Sequence, residues 1–321
     1  MALQEATAYM ARIVVTGGAG FIGAHLTDRL ISDGHEVIVI DNLSTGLRSN
    51  LNPLALFIEG NVAEKKVVSD IPAEGVSAVF HLAAQSSGEA SFNNPYNDLQ
   101  SNVAGTILML QWSKANHIRN FVYTSSMAVY GKTSDFPLTE NTPCLPTSFY
   151  GVAKLSSEHY IRLYAAQGLQ TTIIRPFSVY GSRQNLENMK QGMASIYLAY
   201  ILRGEPVTVK GSPDRFRDQT HVADVVDAMV GCLDNPAAIS GTFNIATGRK
   251  TTVGELLSEL LHATGQPANY PITYEAGTPG DVFGCYADIN KANRLLGWTP
   301  RVSLSAGLAE MYNYFATEKC Q

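Results

Sequence analysis

Short apolar runs alternate with longer amphipathic stretches along this chain. Ile13-Val14-Val15 predicts a strand over Arg12 to Thr16. Ile22, Leu26 and Leu30 follow at four-residue spacing and predict a helix over Phe21 to Ser32. Further strand-like runs occupy Glu36 to Ile40, Val76 to Leu82, Phe121 to Thr124 and Thr171 to Arg175, with helical stretches around residues 98–116 and 150–167. Strands alternating with helices predict a parallel sheet covered on both faces, and runs this apolar suit strands buried on both sides.

The rhythm changes after residue 180. The sequence there predicts a loop, a helix near 193–203, a strand over Pro206 to Val209, and helices over 252–264 and 289–296. Gly241-Thr242-Phe243-Asn244-Ile245 reads as one more strand. The expected fold is α/β: a Rossmann-type, doubly wound parallel sheet over residues 10–180, to which the chain returns near 219–247. The rest of 181–321 is expected to form a smaller α/β lobe that binds substrate over the sheet's carboxyl edge.

Composition narrows the class. Hydrophobic residues make up 45% of the 321 and charged ones 16%, a globular balance that permits a sizeable core. Net charge is −5 with no long basic run, which argues against a nucleic-acid partner. No apolar stretch reaches membrane-spanning length, and residues 1–11 lack the basic start and apolar core of a signal peptide, so a cytoplasmic protein is expected. The residues before Met10 read as a disordered extension. Cys144, Cys232, Cys285 and Cys320 are far apart and form no CxxC pair, so reduced thiols are expected rather than a metal site or a disulfide framework.

Thr16-Gly17-Gly18-Ala19-Gly20-Phe21-Ile22-Gly23 lies between the first strand and the first helix, with Gly17, Gly20 and Gly23 in GxxGxxG spacing. Glycine there allows a tight turn, close approach of a pyrophosphate, and close helix–strand packing. The helix N-terminus adds free N–H groups and a positive dipole end. A glycine-rich turn without a ligand is the alternative reading. Asp41 ends the second strand, where its carboxylate suits adenosine ribose hydroxyls and repels a 2′-phosphate, favouring NAD over NADP. Its alternative is a turn residue leading into Asn42.

Tyr150-Gly151-Val152-Ala153-Lys154 places Tyr150 and Lys154 on one helix face. Lys154 is expected to lower the phenol's pKa and grip a ribose, and Tyr150 to exchange a proton with a sugar hydroxyl as hydride leaves its carbon. Ser126, closing the strand that ends Tyr123-Thr124-Ser125-Ser126, is the third catalytic candidate.

With these motifs stand His81-Leu82-Ala83-Ala84-Gln85, Asn102 with Gly105-Thr106, Val129-Tyr130-Gly131, Arg175-Pro176-Phe177-Ser178-Val179-Tyr180-Gly181, Arg217-Asp218, and Ala287-Asp288 through Lys291 to Leu296-Gly297-Trp298. Together they resemble the extended short-chain dehydrogenase/reductase superfamily, specifically its nucleotide-sugar epimerases and dehydratases, over nearly the whole chain. The resemblance implies a tightly bound NAD, oxidant and then reductant in one turnover, and a UDP- or dTDP-sugar oxidised first at C4. It implies an NAD site lined by Gly17, Gly20, Phe21, Ile22 and Gly23, by Asp41, Asn42, Ser44, Thr45 and Gly46, and by Asn61 and Val62. Leu82, Ala83, Ala84, Gln85, Asn102, Thr124, Tyr150, Lys154 and Pro176 complete it. Gln85, Ser126, Met127, Tyr150, Ser178 and Arg217 would face the sugar nucleotide, Arg217 through its diphosphate, unless it is a surface arginine bridging Asp214 or Asp218. A homodimer formed through residues 98–116 and 150–167 is also implied.

Four positions depart from the family pattern. Asn61 replaces an adenine-binding Asp, Ser178 replaces an Asn, and Thr278, in Thr278-Pro279-Gly280-Asp281, replaces a diphosphate-binding Arg. Most telling, Met127-Ala128 follows Ser126 where 4,6-dehydratases carry an Asp–Glu acid–base pair. Neither side chain can exchange a proton, so a conventional 4,6-dehydratase is not expected. Two enzymes remain: a 5,6-dehydratase of UDP-N-acetylglucosamine, whose Ser–Met–Tyr–Lys combination this chain resembles, and a UDP-glucose or UDP-N-acetylglucosamine 4-epimerase. A non-enzymatic NAD-binding scaffold is a third reading, opposed by the intact Ser126, Tyr150 and Lys154. Met127 would be a shape-setting contact beside C6 or a residue that fills space. Cys144, Glu89, Glu187 and His221 are further acid–base candidates, each also readable as structural.

Overall fold

The computed structural model describes residues 10–277 and 282–318, so the leading extension, the segment Thr278 to Asp281 and Cys320 lie outside the described residues. Seven parallel strands form the central sheet: β1 (Arg12–Thr16), β2 (Glu36–Asp41), β3 (Leu56–Glu59), β4 (Val76–His81), β5 (Asn120–Thr124), β6 (Gln170–Pro176) and the strand Gly241–Ile245. Their order is β3-β2-β1-β4-β5-β6 followed by Gly241–Ile245. Successive side chains of a strand point to opposite faces, so each strand feeds two cores. Ile13 and Val15 join Leu26, Phe80 and Val225 on one face, while Val14 joins Ile38, Met109, Phe121 and Ile161 on the other. β3 was not expected from sequence. Its Leu56-Phe57-Ile58 run is short and only partly covered at the sheet's edge, so it carries little apolar signal.

The helices of this half are α1 (Phe21–Ser32), α2 (Lys65–Ser69), α3 (Gly88–Asn93), α4 (Pro95–Asp98), α5 (Gly105–Ala115) and α6 (Phe149–Ala165). The single helix expected over 98–116 is broken by a π-helical turn at Leu99–Ala104. At its centre the Asn102 carbonyl accepts hydrogen bonds from Thr106 Oγ1 at 2.6 Å and from Ser157 Oγ of α6 at 2.8 Å. Such side-chain donors compete with the regular ladder and re-register the turn.

The chain later returns to the sheet. The helix Val222–Val230, the strand Gly241–Ile245 and Trp298 pack into the β1 and β4 core. A separate core joins the helices Met193–Arg203, Val253–Ala263 and Leu304–Glu318 around Leu198, Leu257 and Met311, beside the paired strands Val207–Lys210 and Ile272–Glu275. The last helix was not expected from sequence. Among the described residues no helix is long and apolar enough to cross a membrane.

One buried ion pair ties β5, β6 and α6 together. Arg175, 2% exposed, gives Nε to Glu158 Oε1 at 2.8 Å and Nη2 to Oε2 at 2.6 Å. Ser125 Oγ donates to Glu158 Oε1 at 2.6 Å, and Arg162 to Oε2 at 2.8 Å. Removing one partner strands the other charge in a place it cannot be hydrated. Glu158→Ala is therefore expected to lower unfolding free energy by roughly 3–5 kcal/mol in urea denaturation. Glu36→Ala, which breaks an exposed pair with Arg12, should cost no more than about 1 kcal/mol.

Candidate active site

A cavity of about 850 Å3 runs between the carboxyl edge of the sheet and the second lobe. It opens where the strand order reverses between β1 and β4, the place where such sheets hold ligands. At its floor Gly17 takes φ +74°, and a Cβ there would meet Ala83 N at 2.8 Å. A Cβ on Gly23 would meet the Gly17 carbonyl oxygen at 2.1 Å. Gly20 caps α1 without a side-chain hydrogen bond, so the first-turn N–H groups beside the cavity are left for an anion. Asp41 accepts from Ala19 N at 3.0 Å and Leu43 N at 2.8 Å. It thus shapes the turn and still lines the cavity, which unites the two readings of this residue. Burial raises its pKa, and those backbone hydrogen bonds oppose the rise. Thr124 Oγ1 is a buried hydroxyl with no partner among the described residues, on the cavity wall. A bare glycine cradle, a carboxylate beyond it and an unpartnered hydroxyl fit a dinucleotide.

The catalytic candidates meet at the tips of β5 and α6. Ser148 Oγ caps α6 by accepting from Gly151 N at 3.1 Å. A Cβ on Gly151 would meet the Ala128 carbonyl at 2.6 Å, so glycine lets the helix touch the turn after Ser126. Enclosure in the cleft pushes the Tyr150 phenol's pKa up to about 12, opposed by the Ser126 hydroxyl. The expected lowering by Lys154 is not what this geometry gives. Lys154 Nζ donates to the Thr124 carbonyl at 2.8 Å and stands 5.9 Å from the Tyr150 ring centre, nearer the Tyr123 ring at 4.8 Å. Lys154 is 3% exposed, and burial pushes its own pKa down to about 7.

Two expected cofactor contacts fall elsewhere. Asn102 is buried behind the cavity wall, where its Nδ2 donates to the Gln85 carbonyl at 3.0 Å and to Asp98 Oδ1 at 3.2 Å. Gly46 packs on the glycine turn instead, with a Cβ there only 2.9 Å from the Ala19 carbonyl carbon. All other residues assigned to NAD and sugar line the cavity. Gln85 does so with its amide engaged, Nε2 donating to Asp98 Oδ1 at 2.7 Å and to the Ser87 carbonyl at 2.9 Å. Arg217 is no surface residue: it is 5% exposed and donates to the Val282 carbonyl at 2.9 Å, while Asp218 holds the backbone of Thr247 and Gly248. Met127 lines the cavity with Sδ 3.9 Å from Ser178 Oγ and 3.3 Å from Cys285 Sγ.

Of the extra acid–base candidates only Glu89 reaches the cavity, and it pairs with Lys210 at 3.4 Å. Glu187 is outside and pairs with Arg203, Cys144 lies off the cavity, and His221 is the buried N-cap of Val222–Val230. The sequence reading missed Cys285, Asp98 and the Glu158–Arg175 pair. Two had a signal: Glu158 follows Lys154, and Asn102 follows Asp98, by four residues.

Residues 13–246 match the model of the NAD dependent epimerase/dehydratase family, and the chain belongs to that family. The structure of a UDP-glucose 4-epimerase from Thermotoga maritima with UDP-glucose superposes with a TM-score of 0.92 at 38% identity, covering 96% of this chain and 99% of that one. The UDP-glucose 4-epimerase of Thermus thermophilus, in complex with NAD, gives 0.89 at 30% identity, covering 95% and 99%. UDP-glucuronic acid decarboxylase 1 of Arabidopsis thaliana is 34% identical over 310 residues, 95% of this chain and 69% of the plant protein. The chain is an NAD-dependent enzyme of the epimerase/dehydratase kind. Tyr150→Phe removes the phenol expected to exchange the proton but none of the glycine cradle. It should lower turnover by about 10²–10⁴-fold. NAD content of the purified protein, read by absorbance after denaturation, should stay unchanged.

Proposed function

We propose that this protein is a UDP-N-acetylglucosamine 5,6-dehydratase acting in the cytoplasm. The observation that carries the reading is Met127. It stands beside Ser126, reaches into the cavity, and rests against Ser178 and Cys285. Ser126, Met127, Tyr150 and Lys154 together resemble the UDP-N-acetylglucosamine 5,6-dehydratase of tunicamycin biosynthesis. A thioether held from two sides narrows the space beside the reacting carbon. A 4-keto sugar that cannot turn over takes hydride back on the face that lost it, so C4 keeps its configuration.

NAD, when bound, accepts the C4 hydrogen as hydride and later returns it. The chain's own residues do the rest. Tyr150, as its phenolate, accepts the O4 proton, and Lys154 holds the cofactor's ribose with the donors that Thr124 leaves over. The 4-ketone makes the C5 proton acidic, and Met127 and Ala128 can neither accept it nor protonate the C6 oxygen. We assign the C5 proton to Tyr150 after its first proton has passed on. The C5–H and C6–O bonds break and C5=C6 forms; the C5 proton stays on Tyr150, and the C6 hydroxide takes up the first proton, released to solvent, and leaves as water. Tyr150 then reprotonates O4 as C4 is reduced. Arg217, buried in the cavity wall, suits the diphosphate. Exposed Tyr96 and Leu99, at α4 and the turn after it, and Val152 and Leu163 on α6 form an apolar face suited to a homodimer.

The second reading is a 4-epimerase, favoured by the names that the two superposed structures carry. Turnover of UDP-N-acetylglucosamine in deuterated water, followed by mass spectrometry and NMR, separates the two. A product lighter by one water with an exocyclic C5=C6 bond supports the dehydratase. An unchanged mass with a galacto-configured product replaces it with the epimerase. If Met127 sets the hydride's face, Met127→Ala should raise the fraction of C4-inverted product, as read from the sugar H4 coupling.

A further inference from the structure

His81 ends β4, just before the run that walls the cavity. Leu82, Ala83, Ala84 and Gln85 line the cavity, whereas the His81 imidazole is fully buried behind them. Its two ring nitrogens meet two buried hydroxyls. Thr16 Oγ1 of β1 stands 2.7 Å from Nδ1, and Thr106 Oγ1 of α5 stands 3.1 Å from Nε2. The other partners of those hydroxyls decide where the ring's proton sits. Thr16 Oγ1 accepts from the backbone N–H of Ala83 at 3.1 Å and from that of Leu82 at 3.2 Å, the latter shared with the Thr16 carbonyl. Backbone N–H groups can only donate, so the hydroxyl's own hydrogen is free to point at Nδ1, which is then bare. At the other end Thr106 Oγ1 lies 2.6 Å from the Asn102 carbonyl, which can only accept, so the hydroxyl donates there. Its oxygen is left to accept a proton carried by Nε2. Both ends select the same neutral tautomer. With the proton on Nδ1 instead, Nε2 would face an oxygen whose hydrogen is already given away. Burial, with Lys154 nearby, holds the ring's pKa down to about 3, in keeping with a neutral imidazole.

These bonds run in one direction from the cofactor wall to the catalytic helix. Ala83 N–H donates to Thr16, Thr16 to His81, His81 to Thr106, and Thr106 to the Asn102 carbonyl. That carbonyl also accepts from Ser157 Oγ at 2.8 Å, and Ser157 lies three residues beyond Lys154 on α6. The first link sits at the tightest approach of the cradle, where a Cβ on Gly17 would meet Ala83 N at 2.8 Å. We propose that His81 is a positioning residue, a neutral imidazole protonated on Nε2 that holds the cofactor wall at the tips of β1 and β4 in register with α6. It lies outside the cavity and acts through Ala83 and Ser157. The proposal rests on the reading that Tyr150 and Lys154 of α6 carry the hydride step beside a bound NAD.

Two measurements on NAD-loaded protein test it. Long-range 1H–15N NMR of 15N-histidine-labelled protein reads the tautomer, the His81 signal being the one lost in His81→Phe or displaced in Thr106→Val. Nδ1 should show the shift of a bare ring nitrogen and Nε2 that of a protonated one, unchanged across the neutral range. A proton on Nδ1, or a ring that titrates like an exposed histidine, overturns the proposal. The second measurement is exchange of bound NAD for radiolabelled NAD. His81→Phe keeps an aromatic ring beside Phe121 and Tyr123 but bridges neither hydroxyl. Exchange should quicken about 10-fold. Thr106→Val, altered away from the cavity, should quicken it in the same direction. A folded His81→Phe protein that melts lower yet exchanges NAD at the unaltered rate has lost only a prop of the core, and that result also overturns the proposal. Should His81→Phe fail to fold, the tautomer and Thr106→Val decide, and unaltered exchange in Thr106→Val sinks the idea. Neither measurement needs turnover, so a chain inactive on UDP-N-acetylglucosamine would refute the dehydratase reading and leave this one standing on its own result.

Discussion

Lys154 carries an ammonium to a place that water scarcely reaches, and much of the surrounding geometry follows from that constraint. Burial pulls its pKa down, and even with two carboxylates opposing the pull the value falls to about 7. Three features counter this. The Thr124 carbonyl takes one N–H, the Tyr123 ring offers its electron-rich face at 4.8 Å, and Asp98 and Glu158 supply negative potential. These groups sit on β5, α4 and α6 itself. The charge that a hydride-transfer site requires is thus also a tie between the sheet and two helical segments. Arg175 does the same from below: it neutralises Glu158, which in turn fixes Ser125, the residue before Ser126.

Close approach is the second constraint. The site needs backbone against backbone at three places, and glycine stands at each. Gly17 meets Ala83, Gly23 meets Gly17, and Gly151 meets Ala128. Any side chain at these positions would push α1 or α6 off the sheet by about the width of a methyl group, and proximity effects of this kind are lost over about 1 Å. The YGVAK run therefore carries three messages: the phenol, the amine and the glycine that lets them near Ser126.

What was legible in the sequence follows from range. β1, β2, β4, β5, β6, α1 and α6 announce themselves by local periodicity, because strands buried on both faces must be apolar throughout. The glycine turn, Asp41 and the Ser126–Tyr150–Lys154 set were legible because their spacing is fixed by local geometry. β3 was not, being a half-covered edge strand, and neither was the helix Leu304–Glu318. The π-helical turn was hidden because its cause, Ser157 reaching across to Asn102, lies 55 residues away. The same limit explains Asn102 itself: the motif placed it near the cofactor, whereas the re-registered turn puts it behind Gln85. Met127 was legible as a departure, but its contact with Cys285, 158 residues on, was not.

That last contact shows where chemistry divides in a shared frame. In the proposed reaction the removal of hydrogen from C4 falls to Ser126, Tyr150, Lys154 and NAD, and nothing in that set decides what the ketone does next. The outcome depends on how freely the sugar moves while oxidised and on what stands beside C5 and C6. A small side chain after Ser126 would leave room to turn, and a carboxylate there would move protons. Met127 does neither. Its long, soft side chain fills the space, and Cys285 and Ser178 keep it from swinging away. Restricting motion and withholding an acid–base group act in the same direction. On the proposed dehydratase reading, that confines the hydride's return to one face and leaves the proton chemistry at C5 to Tyr150.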